Sequence, residues 1–269
     1  MKTKQTPTTL TAQLSPHELW FLAEFFAPGV IYGIEDPGES LSEEEKGQAR
    51  SAAYTSLMEA GVIEAENAQR VKVDEMLGAM VYSCIHSAHV LVVNQPASQA
   101  TLFFHFLPEW QLMMRKVDEA YELTLFKDRE TLFDTLAELF TFSPPVETAP
   151  CAFSIRQREL ELAAYLFETG KVEEATAIIN QAEGEKPSAT DFLQGYSNPT
   201  LHLVFDSLYH RNDEIRLHER KHELLVYEGM QCWLSHDLAG EENIPIIHIH
   251  SLSSEQLKER FLRMIPADK

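Results

Sequence analysis

No run of this 269-residue chain approaches the roughly 20 consecutive apolar residues that a membrane-spanning helix needs; the longest candidates are broken by charges or histidine. The polar start, Met1 to Ser15, lacks the apolar core of a signal peptide and is the one stretch whose composition allows disorder. Cysteine is scarce. Cys84, Cys151 and Cys232 are odd in number and widely spaced, which argues against a disulfide framework and fits a reducing cytoplasm. Basic residues are also few, 22 Lys and Arg against 42 Asp and Glu. The resulting net charge of −20 repels nucleic acid and anionic lipid at long range, and no local cluster of Lys and Arg overrides it. Glycine-rich phosphate loops, nucleophile elbows and Cys-x-x-Cys pairs are all missing. With those chemistries absent, the chain reads as a non-catalytic cytoplasmic protein with no cofactor, no nucleic acid and no membrane among its partners.

What is present is an ordinary globular composition, 44% hydrophobic and 24% charged, enough for one large domain or two small ones sharing a core. The order of elements repeats. Ser15, Pro16 and Glu18 open an amphipathic helix with Leu19, Leu22, Phe25 and Phe26 at helical spacing. Glu159 through Phe167 lies over Glu18 through Phe26 without a gap. Helices over 43–60 and 172–183 follow, then shorter ones over 74–84 and 190–196. A strand at Val90–Val93 matches one at Leu201–Phe205. Phe104 to Met114 lies over Leu224 to Leu234 at a constant offset of 120 (224 − 104), as a hairpin in each case. A further strand (121–126 and 245–250) and a closing helix complete each unit, with Asp128 and Ser253 as N-caps. The expected fold class is α+β: two pseudo-symmetric copies of a helices, three-strand meander and helix unit, sharing a central antiparallel sheet. The first unit covers 15–142 and the second 151–269, and the three-proline segment 143–150 links them.

One match to a catalytic motif needs weighing. His218-Glu219-Arg220-Lys221-His222 fits the H-E-x-x-H pattern of zinc hydrolases, which requires both histidines on one face of a helix. The surrounding residues read as a strand instead, where positions four apart lie roughly 13 Å from each other and cannot share an ion. A helix over 213–225 keeps the zinc reading alive as an alternative. Seven histidines fall between His202 and His250, and they offer a pH-sensitive surface as a further option. Ala49 to Ile63 followed by Val71 to Val73 has a winged-helix outline, but Arg50 is the only cation on the helix face that DNA would need.

The pattern resembles the EspG-like chaperones of type VII (ESX) secretion. The likeness is carried by Glu18-Leu19-Trp20 opening a helix, Asp74-Glu75-Met76-Leu77 leading into Val90–Val93, the Trp110 hairpin, and Leu123-Thr124-Leu125 followed by Leu132–Phe140. The resemblance implies cytosolic capture of a helical secretion substrate, with the partner and the oligomeric state left open. The loop Ala27 to Ser42 is long and apolar for a connector. Its residues Val30, Ile31, Tyr32 and Ile34 either fold back onto the core or contribute to a partner groove.

Overall fold

The computed structural model describes residues 9–26, 31, 33–34, 36–67, 70–141, 151–211, 214–217, 220–227, 230–237 and 245–265. In chain order, the first half runs β1 (Thr9–Leu14), α1 (Pro16–Ala23), α2 (Glu43–Glu59), β2 (Ile63–Asn67), β3 (Arg70–Val73) and α3 (Glu75–His86). It continues with β4 (His89–Gln95), β5 (Ala100–Phe106), β6 (Gln111–Val117), β7 (Ala120–Phe126) and α4 (Arg129–Leu139). The second half runs β8 (Ala152–Arg156), α5 (Gln157–Glu168), α6 (Val172–Gln181), β9 (Glu183–Glu185) and α7 (Ala189–Ser197). It ends with β10 (Leu201–Arg211), β11 (Glu214–Leu217), β12 (Arg220–Tyr227), β13 (Met230–Asp237), β14 (Ile246–Ser251) and α8 (Ser254–Met264).

The fold is α+β. All strands except the β2–β3 hairpin join one antiparallel sheet of 12, in the order β1-β7-β6-β5-β4-β10-β12-β13-β14-β8-β9, with β11 beside β10. Read inward from β1 and from β8, the order of elements is the same, and the halves meet where β4 pairs with β10. The hairpin registers coincide as well. Phe104 faces Met113 and Leu224 faces Trp233; Phe106 faces Gln111 and Val226 faces Gln231.

Two expectations are corrected. The polar start contributes a strand, because Leu10, Ala12 and Leu14 of β1 face the core while the strand pairs with β7 along its whole length. The second half likewise begins with a strand before its first helix.

Strand alternation sends neighbouring residues to opposite faces of the sheet. On one face, α4 and α8 bury Leu132, Leu136, Leu257 and Phe261 against Phe104, Phe205 and Trp233 from both halves. On the other face, α1 and α3 cover Leu112, Met114 and Leu123. There α5, α6 and α7 cover Leu225, Cys232 and Leu234. Between these two helical layers, Val90 and Val92 form a separate small cluster with Phe103 and Leu208. No helix among the described residues is long and apolar enough to cross a membrane.

Helix starts are set by local chemistry. Ser15, Ser42 and Ser253 each form a reciprocal capping box, with Glu18, Glu45 and Gln256 returning the bond. Replacing Ser253 with Ala removes one such acceptor at the helix that closes the shared core. The expected loss is about 1 kcal/mol, measured by urea unfolding.

Candidate partner-binding face

The long loop after α1 is held down by its apolar residues. Ile31 is 1% exposed and Ile34 is 8%, both packed in the first-half core with Leu19, Leu22 and Met80. Val30 and Tyr32 lie outside the described residues. Gly33 has a φ of +83°, and a Cβ there would sit 2.2 Å from the Phe103 ring, so only glycine lets the backbone lie on that ring. Ile31 and Ile34 thus anchor the loop, and the surface it offers comes from other residues. Its later part, Asp36 to Leu41, lines a cleft against Trp20 and Phe21 of α1 and Lys46 and Arg50 of α2. The Arg50 guanidinium donates to the Glu24 carboxylate at 2.7 Å across that cleft.

On the other side of α1 the surface is apolar. Phe25 is 46% exposed and Tyr82 44%, and both line one groove between the end of α1, β3 and the outer side of α3. The groove holds about 570 Å³ and is lined by Phe25, Phe26, Val71, Val73, Ala79 and Tyr82, together with Gly78 and the acidic Asp74 and Glu75. Phe26 meets Tyr82 edge to face at 6.2 Å, and Tyr82 lies over His86 at 4.2 Å. At Gly78 a Cβ would meet Phe26 at 3.4 Å, an ordinary van der Waals contact, so the ring packs against α3 without needing the glycine. The winged-helix outline is accounted for by the same region: α2 is followed by the β2–β3 hairpin, whose valines serve the groove.

In the second half the same face of the sheet carries a buried charge cluster. The Glu223 carboxylate accepts a hydrogen bond from His202 Nε2 at 2.7 Å. It also lies 2.8 Å from His236 Nε2 and 3.0 Å from Lys221 Nζ. Burial alone would raise its pKa; the hydrogen bonds of the two histidines and the charge of Lys221 outweigh that and hold the carboxyl well below the usual range. Nearby Asp206 is shifted the other way, chiefly by burial. The sequence singled out the histidines of this region without finding the carboxylate that gathers two of them.

The described part of the H-E-x-x-H segment, Arg220 to His222, lies in a strand and not in a helix. Its flanks are strands β11 and β12, and His218 and Glu219 lie outside the described residues. Leu217 faces Leu208 and His222 faces Phe205. The His222 ring stacks at 5.3 Å on Trp233, with Nδ1 3.0 Å from the Ser235 hydroxyl. Among the described residues no group of three His, Cys, Asp or Glu is placed to hold a metal ion. Elsewhere, His248 Nδ1 meets the Ser154 hydroxyl at 2.8 Å. His105 is fully buried against the Ser87 hydroxyl, and burial pushes its pKa down to about 3. Cys84, Cys151 and Cys232 are buried and free.

No protein-family model and no curated protein matches the chain. Among solved structures, it is similar to the type VII secretion system chaperone EspG5 of Mycobacterium tuberculosis, determined in complex with a PE25–PPE41 dimer. The two superpose with a TM-score of 0.67 over 97% of this chain and 98% of that one, at 11% sequence identity. A likeness of that extent and that identity speaks for architecture alone: the chain is built on the fold of the type VII secretion chaperone EspG5.

Proposed function

We propose that this protein is a non-catalytic cytoplasmic chaperone that shields the apolar tip of a helical secretion substrate. The observation that carries the reading is the gathering of the exposed Phe25 and Tyr82 with Phe26, Val71 and Val73 around one groove. Single exposed apolar residues need no explanation, whereas a contiguous patch marks an interaction site. The shared fold with a chaperone whose structure was determined in complex with a protein dimer supports the same reading. So does the chain's acidity, which keeps the apolar site soluble while disfavouring nucleic acid as the occupant. In this reading the two halves, 15–142 and 151–269, are diverged copies joined by 143–150, and the first copy carries the groove. Within the segment of Val30, Ile31, Tyr32 and Ile34, the buried Ile31 and Ile34 contribute by seating the loop on the core.

Affinity capture from the host lysate tests this, comparing the unmodified protein with Phe25→Asp/Tyr82→Asp. A small helical protein should be retained through high salt, and the double variant should hold it roughly 30-fold less tightly, the loss expected of two interface anchors. Both positions are exposed, so the variant should keep its circular dichroism spectrum. Equal capture by both proteins would sink the groove as the site.

A further inference from the structure

The sheet ends in two outer strands, and they are protected very differently. At one end, β9 is three residues long and exposed, with Glu183 and Glu185 flanking a glycine. Gly184 has a φ of +114° and is pressed so closely on Ala152 that a Cβ would lie 2.2 Å from its carbonyl oxygen. Such short, charged edges resist further pairing. At the other end, β1 reads Thr-Leu-Thr-Ala-Gln-Leu. All six residues pair with β7 on one side, in a register without a bulge. The strand has no charged residue, no proline and no bulge, three of the devices that keep an edge from pairing, and among the described residues no strand pairs with its outer side. Leu10 and Ala12 pack against the first-half core yet remain only half-buried, so the apolar face of the sheet continues up to this edge.

We propose that β1 pairs antiparallel with β1 of a second copy, joining two sheets into one across a two-fold axis at Ala12. Directly opposed residues in an antiparallel pair point to the same face. A two-fold axis perpendicular to the sheet must therefore fall on a residue, not between two. Centred on Ala12, it sets Leu10 opposite Leu14 of the second copy and Thr11 opposite Gln13. The core face then meets leucine to leucine, and the other face meets threonine to glutamine. The strand is thus complementary to itself.

Charge selects the same strip. Each copy carries −20 overall, so two copies repel wherever their acidic surfaces approach. β1 contributes no charge to that repulsion, and the eight residues before it add Lys2 and Lys4 and no acid. Added salt should screen the remaining repulsion and tighten the dimer, the reverse of what a salt-bridged interface would do.

Sedimentation equilibrium of the full chain at low and high salt tests the pairing. The expected result is a reversible dimer whose dissociation constant falls about tenfold between roughly 0.05 and 0.5 M salt. Thr11 and Gln13 are both exposed, and changing them gives up only the 3.3 Å contact between the Thr11 and Thr124 hydroxyls. Thr11→Glu/Gln13→Glu places like charges opposite each other twice and should weaken association by about tenfold or more. Thr11→Lys/Gln13→Glu places opposite charges in the same register and should restore it. A monomer at every concentration and both salts overturns the proposal, as does a dimer indifferent to the two glutamates. A charge-swapped variant as monomeric as the double glutamate overturns the register. A monomeric wild type whose lysate partner is lost on Thr11→Glu/Gln13→Glu would assign the edge to a different chain.

Discussion

Glu223→Gln is expected to lower the free energy of unfolding by about 3 kcal/mol at pH 7, the scale of breaking a buried ion pair by removing one partner. The carboxylate accepts from His202 and lies within ion-pair distance of His236 and Lys221, groups contributed by β10, β12 and β13. An amide in its place gives up the charge that holds Lys221 and turns one of the two acceptor oxygens into a donor facing another donor. The pH dependence separates this cluster from the buried His105. The pKa of Glu223 is depressed in the fold, so its stabilisation is complete above the unfolded value of about 4.3 and drains away as pH falls below it. His105 is also depressed, to about 3, but it starts from an unfolded value near 6.5. Its contribution is complete above that value and is lost as pH falls from about 6.5 towards 3. Acid should therefore weaken the wild type in two windows, and Glu223→Gln should flatten only the lower one. Urea midpoints at pH 7, 5.5 and 3.5 for both proteins read this directly. A variant within about 0.5 kcal/mol of wild type at pH 7 would mean the cluster is solvated in solution.

How much of this could be read from the sequence depends on how local each signal is. The hairpins were legible because one offset carries both the alternation and the register, and the facing pairs Phe104–Met113 and Leu224–Trp233 follow from it. Helix starts were legible because Ser15, Asp128 and Ser253 act within three residues of themselves. β1 was not, since its core-facing positions are two leucines and an alanine, and its strand state comes from pairing with β7 over 100 residues away. The Glu223 cluster draws on positions 202, 221, 223 and 236, whose meeting is a property of strand order. The groove is similar: Phe25, Val71 and Tyr82 each look like ordinary members of an amphipathic pattern. Periodicity says which side of an element is apolar and nothing about which apolar sides stay uncovered. That is also why Ile31 and Ile34 fitted both readings of their loop until the packing was seen.

Gly33→Ala should be the most damaging single change at the partner-binding face, costing about 2–5 kcal/mol. Two penalties add. A non-glycine residue at a φ of +83° pays about 1–2 kcal/mol for the left-handed backbone. The new methyl would also lie 2.2 Å from the Phe103 ring, so ring or loop must shift, and such overpacking costs about 1–3 kcal/mol. Phe103 is tied to Val90, Val92 and Leu208 between the helical layers, which leaves the loop as the easier part to move. If the loop lifts, Ile31 and Ile34 leave the core together and the cleft lined by Asp36 to Leu41 opens. Partner capture should then fall with stability, although no groove-lining residue has changed. The two penalties can be told apart. Phe103→Ala makes room for the methyl and leaves the backbone strain, so Gly33→Ala should cost only about 1–2 kcal/mol in that background, a clear failure of additivity. Gly33→Asn tolerates the backbone conformation better but keeps the clash, and it should be rescued more fully by Phe103→Ala. Equal costs of Gly33→Ala with and without Phe103 would place the whole penalty in the backbone, and the ring would then not be what seats the loop.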